Sequence, residues 1–294
     1  CALCPWPDLS AKAGRTLTER KDFLDPALFG DLLNRIAAFS GDAVIDISLW
    51  GETALHPQKM ELIRLALSRP ELALVIETCG LGWKEEELEE AAALAAAAPS
   101  GPPSLRPSGL PPLSWIVSLD TADPLRYREL RGPGFAEAAE NAKKLLGLFP
   151  KDAYVQALRT AGAEDDIEKF YRSWKEAAPS GAGNIIIQKY DDFCGARRKM
   201  QASDLSPVER QPCWHLMRDL PILLDGTVPL CREELSVFDG VKDKILGNVF
   251  SDSLDAIWPR GEEFYVQQCR LAGSKEPEYQ GSCAGCDEYY TYNF

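Results

Sequence analysis

The chain opens with Cys1-Ala-Leu-Cys4. Two thiolates three positions apart on a short loop turn to the same side and reach one metal centre. The same spacing serves a zinc half-site, a redox disulfide pair and part of an iron–sulfur site. A second group, Cys213, Cys231, Cys283 and Cys286, lies near the other end, with residues 214–230 inside its long pair. A zinc ribbon would show two short knuckles, which this group lacks. Asp225-Gly226 predicts a hairpin turn over 222–228 that folds Cys213 and Cys231 together. Four soft thiolates suit zinc or a [4Fe–4S] cluster equally well. Cys269 reads as a spare that can substitute, and Cys79 and Cys194 as ordinary thiols.

The elements that must position these groups alternate. Leu28, Phe29, Leu32, Leu33 and Ile36 recur at helical spacing behind Pro26, so the pattern predicts a helix over 26–39. Residues 43–50 read as a strand running into Gly51-Glu52, followed by a helix over 57–69. Further strands are expected at 72–77, 115–120, 153–159 and 184–188, with helices at 84–98, 135–148 and 165–178. The run 99–112 holds too much Pro and Gly for regular structure and is expected as an exposed insertion.

This is the α/β pattern of a parallel sheet with crossover helices. A first strand is expected upstream of Cys1, and the chain, which does not begin with Met, is expected to be a piece of something longer. Ligands of such sheets and barrels bind at the carboxyl ends of the strands. Cys1, Cys4, Gly51, Glu52, Thr78, Ser118, Asp120 and Arg159 all fall there. From residue 191 the character changes: 191–212 reads as a connector and 213–294 as a small second domain without a long helical period.

Acidic residues outnumber basic ones, 45 to 32, for a formal charge of −13. That argues against a nucleic-acid backbone as partner, because such binders present a basic face. No apolar run approaches the ~20 residues needed to span a bilayer. Nine cysteines make an odd count with no disulfide-scaffold rhythm. Metal-bound thiolates in a reducing cytoplasm are the better expectation.

Taken together, these motifs resemble those of the radical S-adenosylmethionine (SAM) enzymes with a C-terminal SPASM or twitch domain, nearest to the spiro-SPASM group. Cys1-Ala-Leu-Cys4 looks like the last two cysteines of a CxxxCxxC loop. Leu49-Trp-Gly51-Glu52-Thr-Ala-Leu-His56-Pro57 looks like the family's Gly-Glu motif, and Glu77-Thr-Cys-Gly80 stands where Thr-Asn-Gly is frequent. Ser118-Leu-Asp120, followed by Tyr127 and Arg131-Gly132, is similar to the fourth-strand segment. Cys213 to Gly226-Thr-Val-Pro-Leu-Cys231 resembles the CX9-15GX4C signature of the C-terminal domain, and Ile245 to Trp258 its following segment.

The resemblance implies a partial (β/α)6 TIM-like barrel over 1–190 and an auxiliary Fe–S domain over 213–294, in the shorter single-cluster twitch form. It implies a first [4Fe–4S] cluster on Cys1, Cys4 and the first cysteine of that CxxxCxxC loop, upstream of residue 1, with SAM at its open iron. Gly51 and Glu52 would meet the SAM amino group, Ser118 its ribose or carboxylate, and Arg131 or Arg159 its carboxylate, with Thr78 beside them. An auxiliary [4Fe–4S] cluster would be closed by Cys213, Cys231, Cys283 and Cys286.

The implied reaction is reductive cleavage of SAM to a 5′-deoxyadenosyl radical and hydrogen abstraction from a peptide, protein or small molecule. Electrons would come from a flavodoxin or ferredoxin. Some family dehydrogenases carry an acidic base directly after the second auxiliary cysteine. Arg232 stands there, and Glu233 and Glu234 are expected to be a solvated pair, so no base is assigned. His56 and His215 are expected to be structural, Ser118 and Asp120 to cap a helix or serve the site, and Tyr289, Tyr290 and Tyr292 to be ordinary aromatics. The competing readings are a non-catalytic barrel that has lost its first cluster, and a zinc-only protein with about two ions.

Overall fold

The computed structural model describes residues 1–5, 23–99, 110–203, 206–272, 279 and 281–290. Most of the 99–112 run, and Tyr292, lie outside them. Contacts divide the chain into two compact units. The first takes in Cys1–Leu3 and Leu24–Tyr190; the second takes in Cys4 and the described residues from Asp191 onward.

The first unit is an α/β layer structure around one sheet. In chain order it runs α1 (Pro26–Ser40), β1 (Ala43–Asp46), a 3₁₀ turn (Thr53–Leu55), α2 (Lys59–Leu67), β2 (Leu72–Thr78) and α3 (Glu85–Ala97). Then come β3 (Leu113–Ser118), α4 (Pro124–Leu130), α5 (Phe135–Leu148), β4 (Ala153–Arg159), α6 (Glu164–Ala177) and β5 (Ile185–Lys189). All strand pairs are parallel, and the order is β1-β2-β3-β4-β5. That sequential order, each strand beside its successor, is the order of a barrel opened out. The sheet is the curled part-barrel expected.

Local chemistry explains the element ends. Asp25 caps α1, its Oδ1 accepting from the Ala27 and Leu28 N–H groups, and Pro26 takes the first position, where no N–H is needed. Gly41, at φ +69°, closes the helix in the left-handed region. β2 is buried at nearly every position, as a central parallel strand covered on both faces must be, whereas β1 alternates at the edge. Leu74, Ile76, Trp115, Val117 and Val155 form the core with Leu33, Ile63, Leu88, Leu145 and Phe170 from the helices. Trp83 packs edge-on against Trp115 with ring centres 5.0 Å apart.

The short α4 was not foreseen. Asp123 caps it, accepting from Leu125 and Arg126 N–H, and Pro124 starts it. Asp120 is therefore not a helix cap.

The second unit holds α7 (His215–Arg218), β6 (Thr227–Pro229), β7 (Ile245–Asn248), α8 (Leu254–Ala272) and α9 (Ser282–Gly285). The expected hairpin turn at Asp225-Gly226 is present: Gly226 sits at φ +82°, its N–H donates to the Leu223 carbonyl, and the Leu223 N–H donates to the Thr227 carbonyl at 2.8 Å. The strand leaving the turn also pairs antiparallel with β7. One expectation is corrected here, because a long helix is present. The face α8 buries carries Leu254, Ile257, Gly261 and Gln268, and Pro259 lies inside it. A stripe half made of Gly and Gln gives no apolar period, and a proline reads as a breaker.

Candidate functional site

The ends of β1, β2 and β3 in the first unit carry a linked set of polar groups. After β1 the chain turns through Ser48 and Gly51 into the 3₁₀ turn that Glu52 caps. The Glu52 carboxylate accepts from the Ala54 N–H at 3.2 Å, the Thr78 hydroxyl at 2.7 Å and the Cys79 N–H at 2.8 Å. Thr78, the last residue of β2, is buried. Its oxygen accepts from the Gly80 N–H at 3.1 Å and Trp83 Nε1–H at 3.0 Å. One donor and two lone pairs are then all used inside the protein, so the hydroxyl's work is to hold Glu52. The Cys79 thiol is pushed up to about 12, first by burial and then by the Glu52 carboxylate.

Beyond β3, Asp120 adopts the left-handed conformation, φ +65°, and is buried. Its Oδ1 accepts from the Leu158 N–H at 3.0 Å and its Oδ2 meets Arg131 Nε at 2.5 Å. Asp120 thus ties β3 to β4 and to the residue after α4. Burial opposes the Arg131 charge, but Asp120 beside it holds its pKa above the usual value. The buried Tyr127 phenol is pushed up to about 12, by burial first.

Ser118, half-buried, accepts from Gln156 Nε2 at 3.2 Å, and Arg159 stands exposed at the end of β4. The Ala2 N–H donates to the Leu130 carbonyl at 2.9 Å, and Leu3 lines a cleft with Asp120, Leu130, Leu158 and Thr160. The opening of the chain is therefore fastened beside Arg131, over the ends of β3 and β4. Cys1 is exposed and Cys4 half-buried. His56 is structural as expected: Nδ1 accepts from the Gln58 N–H at 3.0 Å and Nε2 lies 2.9 Å from the Leu24 carbonyl.

In the second unit the four tail cysteines gather. Cys213 and Cys231 each feel the charge of Cys283 and Cys286. Gln268 of α8 joins two of them, its Oε1 accepting from the Cys213 N–H at 2.8 Å and its Nε2 donating to Cys283 Sγ at 3.6 Å. The Glu288 N–H donates to Cys286 Sγ at 3.3 Å. Burial, and then neighbouring negative charge, raises the Cys213 thiol to about 12 and raises Cys231 and Cys283 as well.

Half-buried thiols that repel one another's ionised forms are a donor set that a cationic centre would relieve. Among the described residues no three Cys, His, Asp or Glu side chains converge on a single point at ion-binding distance. Four soft thiolates are the donor set of a [4Fe–4S] cluster and of a zinc ion alike.

Three sequence expectations change here. Cys269 is exposed on α8 and interacts with Tyr265, so it is no spare for the nest. Cys194 is no bystander: its thiol donates a hydrogen bond to Cys286. Glu233 and Glu234, expected to be solvated, are 5% and 4% exposed. Arg232 makes this tolerable, with Nε 2.9 Å from Glu233 and Nη2 3.2 Å from Asp191. Glu234 accepts from Ser282 Oγ at 3.1 Å. His215 holds the tail in place, with Nδ1 2.5 Å from Asp219 and Nε2 3.2 Å from the Glu288 carbonyl.

A profile of the SPASM iron–sulfur cluster-binding domain matches residues 213–287, a span holding all four gathered cysteines. An uncharacterised protein of Treponema pallidum (strain Nichols) is 38% identical over 273 residues, 90% of this chain and 69% of that one. Among solved structures, Streptococcus suis SuiB bound to the precursor peptide SuiA is similar at TM-score 0.59 and 14% identity, covering 90% of this chain and 70% of that one. anSMEcpe with bound AdoMet gives 0.58 and 11%, covering 94% and 81%. BtrN in complex with AdoMet and 2-DOIA gives 0.51 and 14%, covering 99% and 92%.

Proposed function

Because this chain belongs to the radical SAM family with a C-terminal SPASM domain, we propose that it is an enzyme that cleaves SAM reductively. A reduced [4Fe–4S] cluster with SAM supplies a 5′-deoxyadenosyl radical, which takes a hydrogen atom from substrate. The observation that carries this reading is the linked set Glu52–Thr78–Cys79 and Asp120–Arg131 at the strand ends, with the chain's opening fastened beside it.

In this reading Cys1 and Cys4 hold the first cluster with a third cysteine of the full-length protein. Glu52, steadied by Thr78, faces the SAM amino group together with the Gly51 backbone. Its carboxylate accepts from the Ala54 and Cys79 N–H groups and the Thr78 hydroxyl and is hydrogen-bonded by the Cys79 thiol, the donor a SAM ammonium would replace. Ser118 takes the ribose or carboxylate. Arg131 spends Nε on Asp120 and keeps its remaining donors, while Arg159 stands exposed; either suits a planar carboxylate. The auxiliary cluster sits on Cys213, Cys231, Cys283 and Cys286.

SuiB and anSMEcpe are described with peptides and BtrN with 2-DOIA, which supports a peptide, protein or small-molecule substrate. A flavodoxin or ferredoxin as electron donor, a cytoplasmic setting and the spiro-SPASM group complete the assignment. The test is anaerobic, with full-length cluster-replete protein, SAM and a strong reductant, and chromatographic detection of 5′-deoxyadenosine. Its release is expected. Intact SAM with both clusters present would end the reading.

A further inference from the structure

Shortly before Cys213, in the stretch whose sequence reads as a connector, Arg210 reaches across the second unit to the last of the gathered cysteines. Its Nη1–H donates to the Cys286 carbonyl at 3.2 Å. Its guanidinium carbon lies over two aromatic faces, 4.1 Å from the centre of the Tyr279 ring and 4.6 Å from that of Tyr289. Tyr289 is buried, and the Arg210 Nε is buried with no hydrogen-bond partner. Among the described residues no carboxylate pairs with this arginine, whereas Arg232 of the same unit is paired with Glu233 and Asp191. Ring faces hold a cation by their quadrupole, so they keep it in place without cancelling its charge. The guanidinium is ionised at every working pH. Partly shielded from water, it acts on its neighbours at a lower effective dielectric than a surface charge does.

We propose that Arg210 sets the reduction potential of the auxiliary cluster through its uncancelled charge. This rests on the cluster assignment made above. Reduction adds one electron, and so one negative charge, to the iron–sulfur centre, and a fixed cation beside it favours that state. Cluster potentials follow the charge, hydrogen bonding and solvent exposure around the centre. Arg210 supplies the first of these without occupying an iron, from a side chain fastened to the backbone of a cluster cysteine.

The test is an EPR-monitored redox titration of full-length protein reconstituted anaerobically. Iron and acid-labile sulfide are measured per chain, and circular dichroism confirms folding. Arg210→Gln keeps a planar donor for the Cys286 carbonyl and removes the charge. Arg210→Met removes both but still packs on the two rings. Arg210→Lys keeps the charge. The Gln and Met variants should make reduction of the SAM-indifferent cluster about tenfold less favourable, a fall of ~59 mV for one electron. The Lys variant should stay within about twofold of wild type. A Gln or Met variant that holds its iron and also stays within about twofold of wild type would overturn the inference. Equal falls in the Gln and Lys variants would overturn it too, because shape rather than charge would then decide the potential. Iron lost from both neutral variants would make Arg210 a structural tie for the tail and likewise overturn the inference. A wild-type protein with no SAM-indifferent [4Fe–4S] signal would instead overturn the cluster assignment beneath it.

Discussion

Replacing Glu52 by Gln keeps the size of the side chain and removes its charge and one acceptor. With the amide oxygen in the place of Oε1, the Ala54 N–H and Thr78 O–H bonds survive, but the amide NH₂ faces the Cys79 N–H. With the amide turned over, Cys79 is satisfied and NH₂ faces Ala54 N–H and Thr78, whose lone pairs already serve Gly80 and Trp83. Either way a largely buried donor is stranded, and a charge-assisted bond becomes a neutral one, costing roughly 2–4 kcal/mol. Urea unfolding, followed by tryptophan fluorescence that includes buried Trp83, should show the midpoint of the first unit falling by about 1–2 M for a typical slope.

An independent readout is Cys79. Burial is the first cause of its pKa near 12 and the Glu52 charge the second. Glu52→Gln should therefore speed Cys79 alkylation between pH 8 and 10, yet leave it slower than the exposed Cys1 and Cys269. A midpoint within about 0.3 M of wild type, with unchanged Cys79 alkylation, would refute the reasoning.

Asp120→Ala strands the buried Arg131 guanidinium and the Leu158 N–H, so a loss of about 3–5 kcal/mol is expected in denaturant unfolding. Asp120→Asn, which tolerates positive φ and still accepts from Leu158 but turns a neutral NH₂ donor on Arg131, should lose most of the same stability; an Asn variant close to wild type would contradict the ion-pair argument. Gly226→Ala places a methyl 2.4 Å from Phe250 and 2.6 Å from Asn248 Oδ1 at φ +82°, so the second unit should lose about 1–3 kcal/mol, read from its own unfolding transition. Burial opposes the Asp219 charge, but hydrogen bonds from His215 and Arg218 hold its carboxyl below the usual range. Its stabilising share is then full above the unfolded pKa of ~3.9 and is lost as pH falls through the folded value. Asp219→Asn should flatten the acid limb of thermal stability below pH 4.

The strands of the first unit were legible because each is a β-branched or apolar run followed by an amphipathic helix, so period alone separates them. The site at their ends was legible in part. Glu52 and Thr78 were placed by following where strands stop, but the Glu52–Thr78 bond is tertiary and has no trace in spacing. Asp120 hid its role because its strain and its reach to Leu158 and Arg131 appear only in three dimensions.

In the tail, α8 was masked by Pro259 and by Gly and Gln on its buried face. Glu233 and Glu234 read as surface because a charge pair usually is; Arg232 beside Glu233, and the Ser236 and Ser282 hydroxyls on Glu234, make their burial possible. Cys194 lay in Asp191-Asp192-Phe-Cys-Gly195, whose turn residues were visible. The direction in which that turn throws the thiol was not.

The most direct measurement is the EPR spectrum of the reduced, anaerobically reconstituted full-length protein with and without SAM. Two [4Fe–4S] signals are expected, one altered when SAM is added and one, lost in Cys231→Ala, indifferent to it. A spectrum with no SAM-sensitive component, or a protein that holds zinc without acid-labile sulfide, would contradict the account.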